Sequence, residues 1–347
     1  MELRKNCLPF LLVTLFCLLP ASLQAGPEKP KAADLVTDGQ PIDLTSKRYQ
    51  ELFAELRVEH HFSQEELDTV FNGLTIKKRV LVLMDSQWEA KPYFEYYPRF
   101  ITQAVVKEGR EKLEENRDIL DRVEKEIGVD REVVVAIWAI ESRFGSHTGG
   151  FDMLQTLNTM FDAYPRRAAF YRKQLIHFLL LCRENKVDPK SVSGSYGGAF
   201  GQTQFIPSSF RAYAVDFDKD GRRDVWNNVP DILGSIANYL KQFGWIQDAP
   251  LYAEIGPALQ AQDLQDAYAK GRKGRVSRSR IEAVQGRHVP AVPGDKELSV
   301  VGLELDEQGG MRFVAGYPNF QAITAWNHSN RYAMAVSELS ELLAGDK

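Results

Sequence analysis

The chain has 347 residues, 44% hydrophobic and 26% charged. That balance excludes a disordered, collagen-like or rod-like protein, and at roughly 100–200 residues per domain it fits two or three globular domains. Lys and Arg total 43 against 47 Asp and Glu, a net charge of −4, so no global field for a polyanion exists and no nucleic-acid partner is expected. The three cysteines cannot build a disulfide framework.

Residues 1–25 read as a secretory signal peptide. Arg4 and Lys5 precede an apolar stretch from Cys7 to Pro20 that is too short to span a bilayer. Leu23-Gln24-Ala25 before Gly26 fits a cleavage site. Cys17 sits among further apolar residues, so no lipid anchor is expected. Cleavage leaves only Cys182, in the run Phe178 to Cys182, as a small buried hydrophobe. Residues 26–40 are Pro-, Lys- and Ala-rich, the composition of a flexible leader.

Residues 41–128 form an N-terminal helical domain on pattern. Tyr49, Leu52, Phe53 and Leu56 recur at helix spacing, and Ser63 to Glu66 is a capping-box signature. A second helical region runs from Asp130 to Trp245, broken by Gly194–Gly201 and by Asp216–Asn228. Asp263 to Ala269 reads as a short helix and Lys270 to Arg287 as a basic, Gly-broken segment. Leu298–Leu305 and Met311–Val314 read as a β-hairpin around the turn Asp306–Gly310, and Arg331–Leu343 as a last helix. The expected class is mainly α (α+β), with residues 129–250 and 318–347 as one helical core and 251–317 as a small β-containing domain.

Within the second region, Val134, Ile137, Trp138 and Glu141 stand at i, i+3, i+4, i+7 and share one helix face. Asp130 is placed to cap that helix and Gly145 to end it. A carboxylate on an apolar stripe loses solvation, which favours its protonated form and suits a general acid. The competing reading is a structural ion pair with Arg143 or a distant base.

The loop Gly194 to Ser209 carries four glycines in its first eight residues but no Gly-Lys-Ser/Thr, so it is not a nucleotide loop. Ser195, Gln202 and Gln204 offer uncharged hydrogen bonds, and Tyr196, Phe200 and Phe205 offer sugar-stacking faces. A tight helix–helix connection with Ser208 or Ser209 as the next cap is the alternative. Asp216, Asp218, Asp220 and Asp224 fall at positions 1, 3, 5 and 9 of an EF-hand-like loop, with Gly221 at 6 and the Arg222 carbonyl at 7. Position 12 is Asn227 rather than Glu. Asp231 is then the candidate to complete a calcium site, and Asx-turns without metal are the alternative.

Taken in order, Ile140–Gly145, Tyr164-Pro165-Arg166-Arg167, Gly194–Ser209, Tyr213–Phe217, Asn238-Tyr239, Tyr317–Phe320 and Trp326–Ser329 resemble the membrane-bound lytic murein transglycosylase B family, over residues 90–343 and most strongly over 134–245. The resemblance implies a lysozyme-like helical core with an N-terminal helical domain and a small β-containing insertion. It implies peptidoglycan glycan strands as the partner, with other cell-wall enzymes as candidates; the family's name implies a lipid anchor that is not expected here, so a soluble periplasmic member is the better match. It places Glu141 as single acid and base, forming 1,6-anhydromuramyl ends between N-acetylmuramic acid and N-acetylglucosamine. Ser195, Gln204, Tyr239, Asn327, Arg166 and Arg167 become substrate contacts, with Tyr96 and Tyr332 as weaker carry-overs. Asp216, Asp218, Asp220, Arg222 and Asp231 become the structural calcium site, and no cofactor is implied for catalysis. Gln155 departs from the family pattern, where an Asp is usual. A hydrolytic muramidase and a non-catalytic, calcium-dependent wall-binding scaffold are the alternative functions.

Overall fold

The computed structural model describes residues 31–86, 91–291, 294 and 296–345. The expected signal peptide lies outside the described residues. Among these residues there are fifteen α-helices, one two-stranded sheet and one three-stranded sheet, so the class is mainly helical with a small β part. No described helix is long and apolar enough to cross a membrane.

Three helices open the fold: α1 (Lys47–Val58), α2 (Gln64–Phe71) and α3 (Lys78–Asp85). α1 buries the expected stripe of Tyr49, Leu52, Phe53 and Leu56. The capping box of α2 forms, with Ser63 Oγ accepting from Glu66 N at 3.1 Å and Ser63 N donating to Glu66 Oε2 at 2.6 Å. A short turn, α4 (Tyr93–Tyr96), leads to α5 (Gln103–Glu115) and α6 (Arg117–Glu126). At the centre lies α7 (Arg131–Ser142), in which every residue from Val133 to Ala139 is buried. An all-round apolar helix of this kind can only be a core helix. Around it pack α5, α6, α11 (Val229–Gln242) and α15 (Asn330–Ala344). The remaining large helices are α8 (Met153–Ala163), α9 (Ala168–Glu184), α10 (Pro207–Tyr213) and α14 (Pro318–Trp326).

Two expectations change. Residues 31–40 are not a loose leader: Ala32 and Ala33 are buried, Gly39 N donates to Ile76 O, and Ile76 N donates to Gln40 O. The backbone pairing offsets what the polar composition would leave free. The N-terminal helices also share one core with the rest, because a single hydrophobic cluster runs from Ala32 to Leu343. Tyr49 of α1 packs on Phe161 of α8 and donates to Asn158 Oδ1 at 3.0 Å. Gln155, the departure from the family pattern, accepts Thr75 N at 3.0 Å and so serves the same joint.

A second cluster holds Ile255, Leu264, Ile281, Val300, Phe313 and Tyr317. Here the hairpin is present as β4 (Ser299–Glu304) antiparallel to β5 (Met311–Gly316). A strand absent from the sequence reading, β3 (Tyr252–Gly256), pairs with the other edge of β5 through a register shift at Glu254/Gly256. Side chains alternate across the sheet. Val301, Leu303 and Val314 face the main core, and Val300, Phe313 and Ala315 face the second. Burial on both faces accounts for the near-continuous apolar run of β4. The second core is closed by α12 (Gln262–Ala269) and α13 (Arg278–Gln285). The basic segment pairs within its own surface, as in Arg280–Asp263 at 2.8 Å and Arg278–Glu282 at 2.9 Å.

Candidate active site

Glu141 occupies the last turn of α7, at the rim of the core. The helix stops earlier than Gly145, because Arg143 and Phe144 already adopt left-handed φ of 48° and 54°, followed by Gly145 at 90°. Two consecutive non-glycine residues in that region are costly and need support from their surroundings. Ser142 Oγ accepts Gly145 N at 3.1 Å, and the Phe144 ring packs edge-on against Trp138 at 5.3 Å. Asp130 stands at the N-cap position, but its carboxylate accepts Trp245 Nε1 (2.7 Å) and Asp248 N (3.0 Å) instead of capping.

The shared face is as read: Val134, Ile137 and Trp138 are buried while Glu141 is half-buried. Glu141 Oε1 accepts the Tyr332 hydroxyl at 2.5 Å and Trp326 Nε1 at 2.8 Å. Burial, reinforced by the Glu141 charge, pushes the Tyr332 phenol well above its ordinary range, so it remains a donor. Both donors are neutral. Each can donate to a carboxylate, and a carboxylic acid can still accept both through its carbonyl oxygen. The arrangement therefore serves either protonation state.

Glu141 opens onto a cleft of about 230 Å³ lined also by Lys91, Glu95, Tyr96, Arg99, Phe100, Tyr196, Asn327 and Tyr332. Of the expected substrate residues, Tyr96, Asn327 and Tyr332 meet Glu141 here. Tyr196 is the loop aromatic that reaches the cleft. Phe200 and Phe205 do not, being 0% and 2% exposed core residues. Tyr239 is likewise buried; its hydroxyl donates to Ala325 O at 2.8 Å, and its ring packs on Trp326 at 4.7 Å. With Phe205 it forms the bed on which the Trp326 indole rests.

The Gly-rich loop is positioned by a two-residue pairing of β1 (Phe151–Asp152) with β2 (Ser193–Gly194). At Gly149, with φ of 89°, an added Cβ would fall 2.2 Å from Gly194 O, so the close approach requires glycine there. Ser195 closes the loop on itself: its N donates to Ala199 O (2.7 Å), and its Oγ accepts Ala199 N (3.1 Å). Gln204 Nε2 donates to Thr148 O and Gly201 O, and Gln202 accepts Trp138 Nε1 at 2.8 Å while donating to Trp226 O. Neither Ser208 nor Ser209 is the next cap; Ile206 holds that place. Arg166 pairs with Asp85 at 2.9 Å, and Arg167 lies over the Phe170 ring at 4.3 Å. Arg167 also lies over the Tyr171 ring, whose hydroxyl donates to Gly197 O of the loop.

Sequence reasoning missed Trp326 as a donor and the Lys91–Phe100 wall. The carry-over of Tyr96 and the Trp326–Ser329 motif touched both places without assigning these roles. Glu95 is a second carboxylate in the cleft, accepting Lys91 Nζ at 2.8 Å. Asp152, eleven residues on from Glu141, caps α8 through Gln155 N instead.

In the acidic loop, oxygens of Asp216, Asp218 and Asp231 converge within 4.8 Å of one another. Asp231 is fully buried near the start of α11, its two oxygens accepting Phe217 N (2.7 Å) and Asp224 N (2.8 Å). Burial, with the Asp218 and Asp216 charges, pushes it up to about 6. Three converging carboxylates, one buried among like charges, fit a hard cation with oxygen ligands. Asp231, rather than Asn227 at position 12, is the residue that joins Asp216 and Asp218. Asp220 lies outside this trio and accepts Arg222 N, and Asp224 accepts Trp226 N and Asn227 N.

Residues 45–341 match the family described as transglycosylase SLT domain. The chain is 33% identical over 305 residues to membrane-bound lytic murein transglycosylase B of Escherichia coli (strain K12), covering 85% of this chain and 82% of that protein. Among solved structures, catenated lytic transglycosylase SltB1 from Pseudomonas aeruginosa superposes with a TM-score of 0.79 at 37% identity, over 86% of this chain and 97% of that one. The Escherichia coli lytic transglycosylase Slt35 in complex with calcium gives 0.76 at 31%, over 90% and 96%. SltB3 from Pseudomonas aeruginosa in complex with NAG-anhNAM-pentapeptide gives 0.72 at 31%, over 86% and 79%.

Proposed function

The chain belongs to the transglycosylase SLT domain family and is a peptidoglycan lytic transglycosylase, and we propose that Glu141 alone carries its acid and base chemistry. The observation behind this is the seating of Glu141 in the cleft on two neutral donors, Tyr332 and Trp326.

As the acid, Glu141 gives its proton to the glycosidic oxygen between N-acetylmuramic acid and N-acetylglucosamine, and the C1–O bond breaks. The muramyl acetamido group stabilises the cationic C1. The Glu141 carboxylate then takes the proton of the muramyl C6 hydroxyl, whose oxygen bonds to C1. The product is a 1,6-anhydro sugar, and no water is consumed. The NAG-anhNAM-pentapeptide held by the SltB3 relative is a compound of the kind this step releases. Asn327 and Tyr96, beside Glu141, orient the sugar, with Tyr196 as a stacking face. Ser195 and Gln204 act by holding the loop that presents Tyr196. Arg166 and Arg167 stand farther along the strand's path, as contacts for carboxylates of the peptide stem.

Asp216, Asp218 and Asp231 would hold calcium, with Asp220 and the Arg222 carbonyl completing the loop; the ion would neutralise the carboxylates and stiffen the turn. The basic and apolar residues 4–20 support export to the periplasm, where the glycan strands lie.

A second reading rests on Glu95, the other carboxylate of the cleft. A glycosidase with two carboxyl groups would use it to direct water. Its pairing with Lys91 disfavours that role. Mass spectrometry of products from purified glycan strands decides between the two. Anhydro ends, about one water lighter, are expected; hydrated reducing ends, abolished by Glu95→Gln, would establish hydrolysis.

A further inference from the structure

We infer that Glu304, at the end of β4 in the small β-containing part, is a positioning residue for the Glu141 cleft. The inference rests on the reading of Glu141 and Tyr332 given above. Glu304 joins three elements at one carboxylate. Its Oε2 accepts Tyr93 N at 3.0 Å, and its Oε1 accepts Arg331 Nη2 at 2.6 Å, with Arg331 Nε 3.3 Å from Oε2.

Each tie leads directly to the cleft. Tyr93 begins the short turn α4, whose Glu95 and Tyr96 form a cleft wall. The residue before it, Pro92, provides no side-chain cap, so the first N–H of the turn is satisfied from across the fold by Glu304. The Tyr93 hydroxyl is held as well, by Glu338 of α15. Arg331 adjoins Tyr332, the residue that donates to Glu141. A two-pronged Arg–carboxylate pair fixes direction as well as distance. Glu304 is half-buried, so this pair is less screened than a surface bridge. One side chain of the β-hairpin thereby sets the Tyr96 wall against the Tyr332 donor. Arg312 of β5 adds a second strut by pairing with both Glu338 and Glu254.

The β-containing part, which contributes no residue to the cleft lining described above, is on this view an external brace for it. Misplacement of reacting groups by about 1 Å can cost on the order of 100-fold in rate. Glu304→Ala is expected to lower kcat about tenfold, and Glu304→Gln, which keeps an acceptor for Tyr93 N, less than that.

The test is a double-mutant cycle with Tyr332→Phe on the full-length protein, with thermal unfolding measured for each variant. If Glu304 acts through the placement of Tyr332, its substitution costs clearly less in the Tyr332→Phe background than in the unmodified enzyme. Glu304→Gln supplies the same cycle should Glu304→Ala fail to fold. Additive losses would overturn the inference. So would unchanged turnover in Glu304→Ala, or an equal kcat loss from Arg280→Ala, a surface pair in the same β-containing part. If Tyr332→Phe alone leaves turnover intact, the reading of the Glu141 site falls with the inference. If Tyr332→Phe is impaired but the cycle is additive, only the inference falls.

Discussion

The Glu141 cleft and the acidic loop use the same functional group in opposite ways. Glu141 is a carboxylate at the end of an apolar helix, held by an indole N–H and a phenol O–H. Asp216, Asp218 and Asp231 crowd one another instead, and the buried member is pushed up to about 6 by its loss of solvent and by its neighbours' charge. Neutral donors can serve a carboxyl group in both its acid and its base form. Mutual crowding leaves carboxylates that call for a cation. The first environment suits proton transfer and the second suits a fixed ion. Gln202 stands between the two regions: it holds Trp138 of the Glu141 helix with one end and Trp226, within the acidic loop, with the other.

The contrast breaks most sharply at Glu141. Glu141→Gln preserves shape and keeps an acceptor for Tyr332 and Trp326, but it cannot transfer a proton. Turnover should fall by at least the roughly 10²–10⁴-fold typical of general acid–base groups, with far-UV circular dichroism and glycan binding preserved. Residual activity near that of the unmodified enzyme would remove Glu141 from the chemistry.

A smaller effect is expected from its donors. Hydrogen bonds to charged groups contribute about 1.5–3 kcal/mol, so Tyr332→Phe should lower kcat roughly ten- to a hundredfold, and Trp326→Phe similarly. Steady-state kinetics on soluble glycan fragments measures this. A change confined to KM would mean that the donors bind substrate rather than hold Glu141.

The acidic loop should respond in stability instead. A ligand at 100 times its Kd that binds only the folded state adds about 2.7 kcal/mol. In a domain of about 150–250 residues each kcal/mol moves Tm by about 2–4 °C, and in a longer chain by somewhat less. Calcium should therefore raise Tm by several degrees in calorimetry, with magnesium a poor substitute because of its tighter octahedral demand. Asp231→Asn should abolish the response while leaving kcat at saturating glycan close to normal. A large kcat loss there would merge the two regions into one site.

The smallest effect belongs to the link. Gln202→Ala leaves the buried Trp138 N–H and Trp226 carbonyl without a partner, at about 1–3 kcal/mol for such a loss. Denaturant unfolding should report that cost together with a modest fall in turnover. Stability lost with no change in turnover would show that the two regions work independently.

Some of this molecule is local and was readable as such. Tyr49, Leu52, Phe53 and Leu56 form a stripe because 3.6-residue periodicity alone sets it, and the Ser63 box, the 299–316 hairpin and the Val134–Glu141 face follow equally short-range rules. The pairing of an apolar helix with a terminal Glu, and the alternate Asp residues of the acidic loop, were legible for the same reason. Other features depend on which surfaces meet. The donors to Glu141 come from 185 and 191 residues further along the chain. Phe200, Phe205 and Tyr239 carry the composition of a sugar-stacking site, yet lie in the core: Phe205 and Tyr239 pack against Trp326 of α14, and Phe200 against Phe210 and Trp226. β3 is five residues long and acquires its identity only by pairing with β5. Periodicity tells a helix or strand which face is apolar, whereas the partner for that face is chosen by burial and hydrogen bonding over the whole fold. That choice placed Trp326 and Tyr332 on Glu141 and Asp231 beside Asp216 and Asp218.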